Sequence, residues 1–324
     1  MNTINHLVFI PHDLLSLIEK LMSSGSVFSL SRTCKPLLTA VYKGKNPCVH
    51  TIIIGTICND DTNLFEWLVA GINRVNRINH AQEYYEQSAK FGSLEILIYI
   101  RTKFREIGYS WDKNASFEAA KNGHLMILKY LHTNGYQANG YALDHAAENG
   151  HLEIVKYLEG TGCRWDNTTC RKAAENGHLE VLKYLRENRH RWSNEITWCG
   201  LAFSSAAENG HLEVLKYLHE NECPLNKCAC SAAARNGHLE VVKYLHENGC
   251  DWDKYACYGA AINGHLEVLK YLHENGCIWG ENGCIEAAHN GHLEILKYLR
   301  ENWGPWHKDV DVHSYTIRNR RMKT

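Results

Sequence analysis

Asn263-Gly264-His265-Leu266-Glu267-Val268-Leu269-Lys270-Tyr271-Leu272 is one of seven near copies of a single segment. Asn-Gly-His-Leu begins at Asn122, Asn149, Asn176, Asn209, Asn236, Asn263 and Asn290. Between the turn glycines Gly123, Gly150, Gly177, Gly210, Gly237, Gly264 and Gly291 the spacings are 27, 27, 33, 27, 27 and 27 residues. A fixed period of this size marks a chain built from one repeated supersecondary unit. Upstream of the glycine, Asp253 can cap a helix by accepting from orphan backbone N–H groups, and Ala260-Ala261 permits close packing. Gly264 ends that helix, because glycine reaches the left-handed conformation of a helix terminus without a Cβ penalty. Downstream, Leu266, Val268, Leu269, Tyr271 and Leu272 recur on one helical face, while Glu267 and Lys270, three apart, fall on the wet one. Each unit therefore reads helix, tight turn, helix. So short a pair cannot bury its apolar face alone, so units must stack and share a core. The expected class is all-α, an α-solenoid of 27-residue helix-turn-helix repeats.

The 324 residues carry 44% hydrophobic and 22% charged content with a formal net charge of -1, which gives no electrostatic bias toward nucleic acid or membrane. No apolar run reaches the roughly 18 residues of a membrane span; Thr51-Ile52-Ile53-Ile54 is far too short. The N-terminus lacks the basic flank and small-residue cleavage site of a secretion signal, so the cytoplasm is the expected compartment, with the nucleus as the alternative.

Most of the 13 cysteines fall on the repeat lattice. Cys163, Cys223, Cys250 and Cys277 follow the outgoing helix; Cys170, Cys230, Cys257 and Cys284 precede the turn glycine by seven residues. They read as small buried apolar groups. Cys223, Cys228 and Cys230 form the one crowded set but lack two well-spaced ligand pairs, so no metal is expected. The turn histidines read as local hydrogen-bonding groups at a helix start, since a catalytic group needs a unique environment and these repeat.

The first residues differ. Pro11 opens a helix with Leu14, Ile18 and Leu21 on one face; Val27, Leu30 and Cys34 mark a second stripe, ended or kinked by Pro36. Ile10-Pro11-x-Asp13-Leu14-Leu15, then Ile18, then Leu30-Ser31-x-Thr33-Cys34-Lys35, resembles the F-box motif, with Leu37 where that family often has Trp. The resemblance implies docking of Ile10, Pro11, Leu14, Leu15, Ile18, Leu30 and Cys34 on a Skp adaptor, which joins a cullin–RING ubiquitin ligase. The other reading of this segment is a helical cap closing the stack.

The repeats resemble ankyrin repeats through Ala-Ala-x-Asn-Gly-His-Leu-Glu-Val-Leu-Lys-Tyr-Leu and the following Asn-Gly-Cys. Two departures stand out: the family's Thr-Pro-Leu-His opening is missing, and its usual period of about 33 is cut by six. The lost residues fall where the family places a β-hairpin finger, so little or no sheet is expected. In style the chain is similar to F-box-bearing ankyrin proteins of large DNA viruses of amoebae and of related protists, which would place it in host cytoplasm. The expected layout is an F-box-like segment at 1–43, a hinge at 44–50, repeats at 51–302 and a C-terminal cap with a basic tail at 303–324. Nine units are counted: seven with Asn-Gly-His-Leu, one at Gly92, and a worn first one with Asp60 in the glycine's place. The 31-residue gap from Gly92 to Gly123 is assigned to a longer helix at Arg101 to Arg105.

Binding positions should vary while lattice positions stay fixed. Six and five residues before the turn glycines stand Phe117-Glu118, Asp144-His145, Arg171-Lys172, Ser204-Ser205, Ser231-Ala232, Tyr258-Gly259 and Ile285-Glu286, which the ankyrin resemblance places toward the concave side. Phe117, Glu118, Asp144, His145, Arg171, Lys172 and Tyr258 are the partner-binding candidates. Trp192 and Trp198 join them, in the one 33-residue gap, where a finger could project. Drift on a solvated face and a tucked-in tryptophan are the competing readings. No phosphate loop, nucleophile elbow or His-Glu-x-x-His helix is present, so neither catalysis nor a cofactor is expected. The expected function is a monomeric, protein-binding adaptor that delivers a target to a ubiquitin ligase. The alternatives are a scaffold or competitor with no ubiquitin role, and metal binding through the cysteine ladder.

Overall fold

The computed structural model describes residues 56–71, 74–104, 112–188, 200–223, 225, 227–277 and 282–303. The F-box-like residues, the 44–50 hinge, Trp192, Trp198 and the basic tail lie outside them. Among the described residues the chain is helical throughout, with no strand. After α1 (Thr62–Gly71), eight helix pairs follow, each joined by a short turn. They are α2 (Arg74–Phe91) with α3 (Leu94–Lys103), α4 (Asp112–Asn122) with α5 (Leu125–Thr133), α6 (Gly140–Glu148) with α7 (Leu152–Gly160), and α8 (Asn167–Glu175) with α9 (Leu179–Glu187). The rest are α10 (Gly200–Glu208) with α11 (Leu212–Glu220), α12 (Lys227–Arg235) with α13 (Leu239–Glu247), α14 (Lys254–Ile262) with α15 (Leu266–Glu274), and α16 (Asn282–His289) with α17 (Leu293–Trp303). The chain divides into two compact units, Met1–Ala146 with Lys156–Cys163 and Ala147–Val155 with Arg164–Thr324. In the second unit the first helices α8, α10, α12, α14 and α16 pack side by side in chain order. That is the stacking of an α-solenoid.

The repeat of α14 and α15 is folded by two copies of the same helix ending. At the first, the His265 N–H donates to the Ala260 carbonyl at 2.8 Å and the Gly264 N–H to Ala261 at 3.3 Å, with Gly264 at φ 85°. At the second, the Cys277 N–H donates to Leu272 at 2.9 Å and the Gly276 N–H to His273 at 3.0 Å, with Gly276 at φ 83°. Both are Schellman closures, which satisfy the carbonyls a helix end leaves open. The asparagine before each glycine seals the end further: Asn263 Nδ2 donates to the Gly259 carbonyl at 3.0 Å and Asn275 Nδ2 to Tyr271 at 2.8 Å. Asp253 caps α14 by accepting from the Tyr255 N–H at 2.9 Å, and Asp166 closes a capping box on α8. The buried face of α14 is Ala256, Cys257, Ala260 and Ala261, and that of α15 is Val268, Leu269 and Leu272.

The turn histidines correct the sequence expectation of a local bond. His265 stands in the cap position of α15 but makes no capping bond with its side chain. Instead the ring reaches the preceding repeat. Nε2 of His178, His211, His238 and His292 bonds the carbonyls of Glu148, Glu175, Glu208 and Ile262, each at 3.0 Å, and in the first unit His124 bonds Lys90 at 2.9 Å. Because a carbonyl only accepts, each Nε2 must carry the proton. The same ring lies flat over the preceding turn glycine: a Cβ on Gly237 would stand 2.5 Å from His265 Nδ1, and one on Gly264 2.7 Å from His292 Cε1. Glycine is thus demanded twice, by its φ and by the next repeat's histidine. Gly276, in the second turn, meets nothing within 4 Å, so only its φ matters there. Glu222 fills that second-turn place in its repeat at φ 65°. Gly291, after which the sequence has no further Asn-Gly-His-Leu, also meets nothing within 4 Å.

A second row of bonds joins outgoing helices. Nδ1 of His219, His246 and His273 pairs with the hydroxyl of Tyr244, Tyr271 and Tyr298 at 2.9, 3.0 and 2.8 Å. Lys183, Lys216, Lys243, Lys270 and Lys297 pair with the glutamate three residues before each, on the exposed face the sequence predicts. Met126, which replaces that glutamate in one repeat, is 63% exposed. In the worn first unit Asp60 does take the glycine's conformation, at φ 54°, and Ser93, in the histidine's place after Gly92, donates to the Ile57 carbonyl at 2.5 Å. The helix expected to lengthen at Arg101 to Arg105 stops at Lys103, where the Phe104 N–H closes on Ile100 at 3.0 Å. The long element is α2, with 18 residues.

Two measurements probe this interlock. Gly276→Ala should lower the free energy of unfolding by about 1–2 kcal/mol for its left-handed backbone. Gly264→Ala should cost roughly 1 kcal/mol more, for the displaced His292 hydrogen bond; equal losses in urea titrations would contradict the contact. Acid provides the other. Burial pushes the His178 and His265 rings below their ordinary value, with neighbouring rings (His151 and His211; His238 and His292) adding to the effect. Their bonded carbonyls oppose it. A histidine that binds fewer protons folded than unfolded loses stability as pH falls through about 6.5. The urea midpoint should therefore fall between pH 7.5 and pH 5.5, and an unchanged midpoint would contradict buried neutral rings.

Candidate interaction surface

In a helix whose buried positions precede the turn glycine by eight, seven, four and three residues, those nine, six, five and two before it form the opposite face. On α14 these are Tyr255, Tyr258, Gly259 and Ile262, and on α10 Leu201, Ser204, Ser205 and Glu208. The candidates six and five before the glycine prove to be half-buried and engaged with neighbours. In the first unit the Phe117 and His145 rings meet edge-on with centroids 4.4 Å apart, Glu118 accepts from Asn122 Nδ2 at 3.3 Å, and Asp144 is half-buried. In the second, Arg171 pairs with Glu175 at 2.6 Å and Lys172 with Glu148 at 3.0 Å. Tyr258 is half-buried beside Gly259, where an added Cβ would stand 3.0 Å from Arg235 Cβ. Of these contacts, Phe117 with His145 and Lys172 with Glu148 join neighbouring first helices.

The residues most open to a partner stand one turn earlier. Tyr141 in the first unit is 71% exposed; in the second, Leu201 is 63% and Tyr255 55% exposed, with Cys228 exposed between them. Leu201, Cys228 and Tyr255 hold the same place on the adjacent helices α10, α12 and α14. Around them are the small side chains of Ser204, Ser205, Ser231 and Ala232, and the charges of Glu208, Lys227 and Arg235 stand exposed nearby. Ser231 Oγ donates to Asp253 Oδ1 at 2.8 Å, which ties α12 to the cap of α14. The result is an uncharged column, large at Leu201 and Tyr255, with a polar rim, the composition of a protein interface. The sequence carried the signal in Asn114, Tyr141, Thr168, Leu201, Cys228, Tyr255 and Asn282, where apolar residues stand among polar ones at a position opposite the Ala-Ala stripe.

Among the described residues seven cysteines lie in the core: Cys163, Cys170, Cys223, Cys230, Cys250, Cys257 and Cys277. Cys223, Cys228 and Cys230 are not brought together. Among the described residues no group of three or more His, Cys, Asp or Glu side chains is placed to hold a metal ion, and no helix is long and apolar enough to cross a membrane.

The family model for ankyrin repeats, in three-copy form, matches residues 86–169, 116–197, 170–256 and 230–314. No protein of curated function matches the chain. The matched stretches overlap to span 86 to 314, well over half of the 324 residues, and cover the helix pairs whose turns and interlocking histidines are described above. The chain belongs to the ankyrin-repeat family.

Proposed function

We propose that this protein is a non-catalytic adaptor: the repeats hold a protein target, and the N-terminal segment docks on the Skp adaptor of a cullin–RING ubiquitin ligase. Ankyrin repeats support the first half, since they are protein-interaction modules. The observation that carries it is the column of Leu201, Cys228 and Tyr255, uncharged groups exposed at the same place on three adjacent helices. Such a surface suits a target presenting apolar side chains, with Glu208, Lys227 and Arg235 setting its orientation. The second half rests on Ile10, Pro11, Leu14, Leu15, Ile18, Leu30 and Cys34 in F-box order.

If the column is a binding surface, removing it should leave folding intact. Leu201→Ser should change the free energy of unfolding by less than about 0.5 kcal/mol. Phe203→Ala, two residues on and fully buried, should cost about 3–5 kcal/mol. A large loss at Leu201 would make it a packing residue instead. For the ligase role, purified Skp adaptor should bind the full chain, and Pro11→Ala with Leu14→Ala and Leu15→Ala should weaken that binding at least tenfold without lowering the melting temperature of the repeats. No binding by the unaltered chain would leave a protein-binding scaffold with no ubiquitin role.

A further inference from the structure

Asn-Gly occurs 12 times in the chain. At such a dipeptide the backbone can close on itself: the glycine nitrogen attacks the asparagine side-chain carbon, and glycine has no Cβ to block the approach. The attack needs a glycine nitrogen released from its hydrogen bond and a side chain turned toward it. The Schellman turns deny both. At Asn134-Gly135, Nδ2 donates back to the Tyr130 carbonyl at 2.8 Å and the Gly135 N–H donates to His132 at 3.0 Å. Asn134 stands at ψ 15°, which turns the glycine nitrogen away from the side chain. Asn248-Gly249 repeats the pattern at 2.7 and 2.9 Å, and Asn263-Gly264 at 3.0 and 3.3 Å.

Asn139-Gly140 is placed differently, at the start of a helix and not at its end. Asn139 is exposed, and its Oδ1 accepts from the Ala142 N–H at 3.4 Å, a bond that draws electrons from the side-chain carbon. Gly140 is the first residue of α6, where an N–H has no carbonyl in its own helix to bond. Its φ lies outside the left-handed region, so no turn at this position demands glycine.

We propose that Asn139 is a site of spontaneous deamidation in the folded protein, while the Schellman turns hold their Asn-Gly bonds inert. The Gly140 nitrogen loses its proton and bonds to the Asn139 side-chain carbon; the bond from that carbon to Nδ2 breaks, and Nδ2 leaves as ammonia. Water then opens the succinimide at either carbonyl, giving aspartate or isoaspartate, the latter with an extra methylene in the backbone. One water enters, one ammonia leaves, and nothing is oxidised or reduced. Either product puts a negative charge at the N-terminus of α6, where the helix dipole favours it, two residues before the exposed Tyr141. At a Schellman turn the same change would set the charge at a helix C-terminus and remove the Nδ2 donor, so the protection preserves the joints. The effect at Tyr141 on binding rests on the surface proposed above; the reaction does not.

The test stores the folded full chain for weeks in mildly alkaline buffer beside a sample in urea, then digests both with trypsin. The peptide that follows Lys129 and ends at Lys156 holds Asn134, Asn139 and Asn149, so one fragment compares three sites. Mass spectrometry with fragmentation that distinguishes isoaspartate locates the products. In the folded chain Asn139 should convert at least about tenfold faster than Asn134 and Asn149, which must first open locally. In urea the three rates should converge. Gly140→Ala, a better helix residue with a Cβ beside the attacking nitrogen, should slow conversion at Asn139 about tenfold without lowering the melting temperature. Asn139 recovered intact from the folded sample while the urea sample converts would overturn the proposal. So would equal conversion of the three sites in the folded chain.

Discussion

The contact of one histidine ring with the turn glycine of the repeat before it is the constraint on which the array depends. The ring fills the space a Cβ would take and bonds a carbonyl at the preceding helix end, so a single side chain packs and satisfies its neighbour together. Asn-Gly-His-Leu is therefore an interlocking part more than a local turn signal: its glycine is the socket for the next unit and its histidine the plug for the last. A chain of such joints explains how units this short form a stable stack, since stability in repeat proteins resides largely in the interfaces between neighbours.

The same logic explains what the repeat can do without. The second Schellman turn, with Gly249 and the capping Asn248, reverses the chain in two residues, Cys250 enters the core at once, and α14 begins at Lys254. That compact reversal, closed by backbone hydrogen bonds, takes the place of a projecting finger. The alanine stripe then lets the first helices approach closely, as where Gly259 admits Arg235.

Much of this was legible in the sequence because it is local. Helix, glycine turn and helix follow from spacing; the Asp253 cap and the Glu267–Lys270 pair follow from positions within two turns. Even the worn first unit was readable, Asp60 being one of the residue types that tolerate a left-handed backbone. What failed was non-local. A ring that bonds a carbonyl 30 residues away looks, in sequence, like a residue beside its own helix, so His265 and His292 were given a local role. Variability alone does not separate a residue packed against the next helix, such as Phe117, from one in water, such as Tyr255, so the candidates six and five residues before the turn glycine include half-buried ones. A helical-wheel comparison with the buried alanines would have favoured Tyr255. The F-box-like residues, Trp192 and Trp198 stand as sequence readings alone.

The function suggested here follows from that division of labour. Interlocking residues are fixed by their neighbours, so the freedom to fit a partner is left to the outward positions of the first helices, where Tyr141, Leu201, Cys228 and Tyr255 stand exposed. The central structural claim is the hydrogen bond from each turn histidine to the preceding repeat, and side-chain nitrogen NMR on histidine-labelled protein tests it most directly. The account predicts that His178, His211, His238, His265 and His292 are held as tautomers protonated at Nε2, with that proton protected from exchange. Averaged tautomers with rapidly exchanging ring protons at these positions would contradict it.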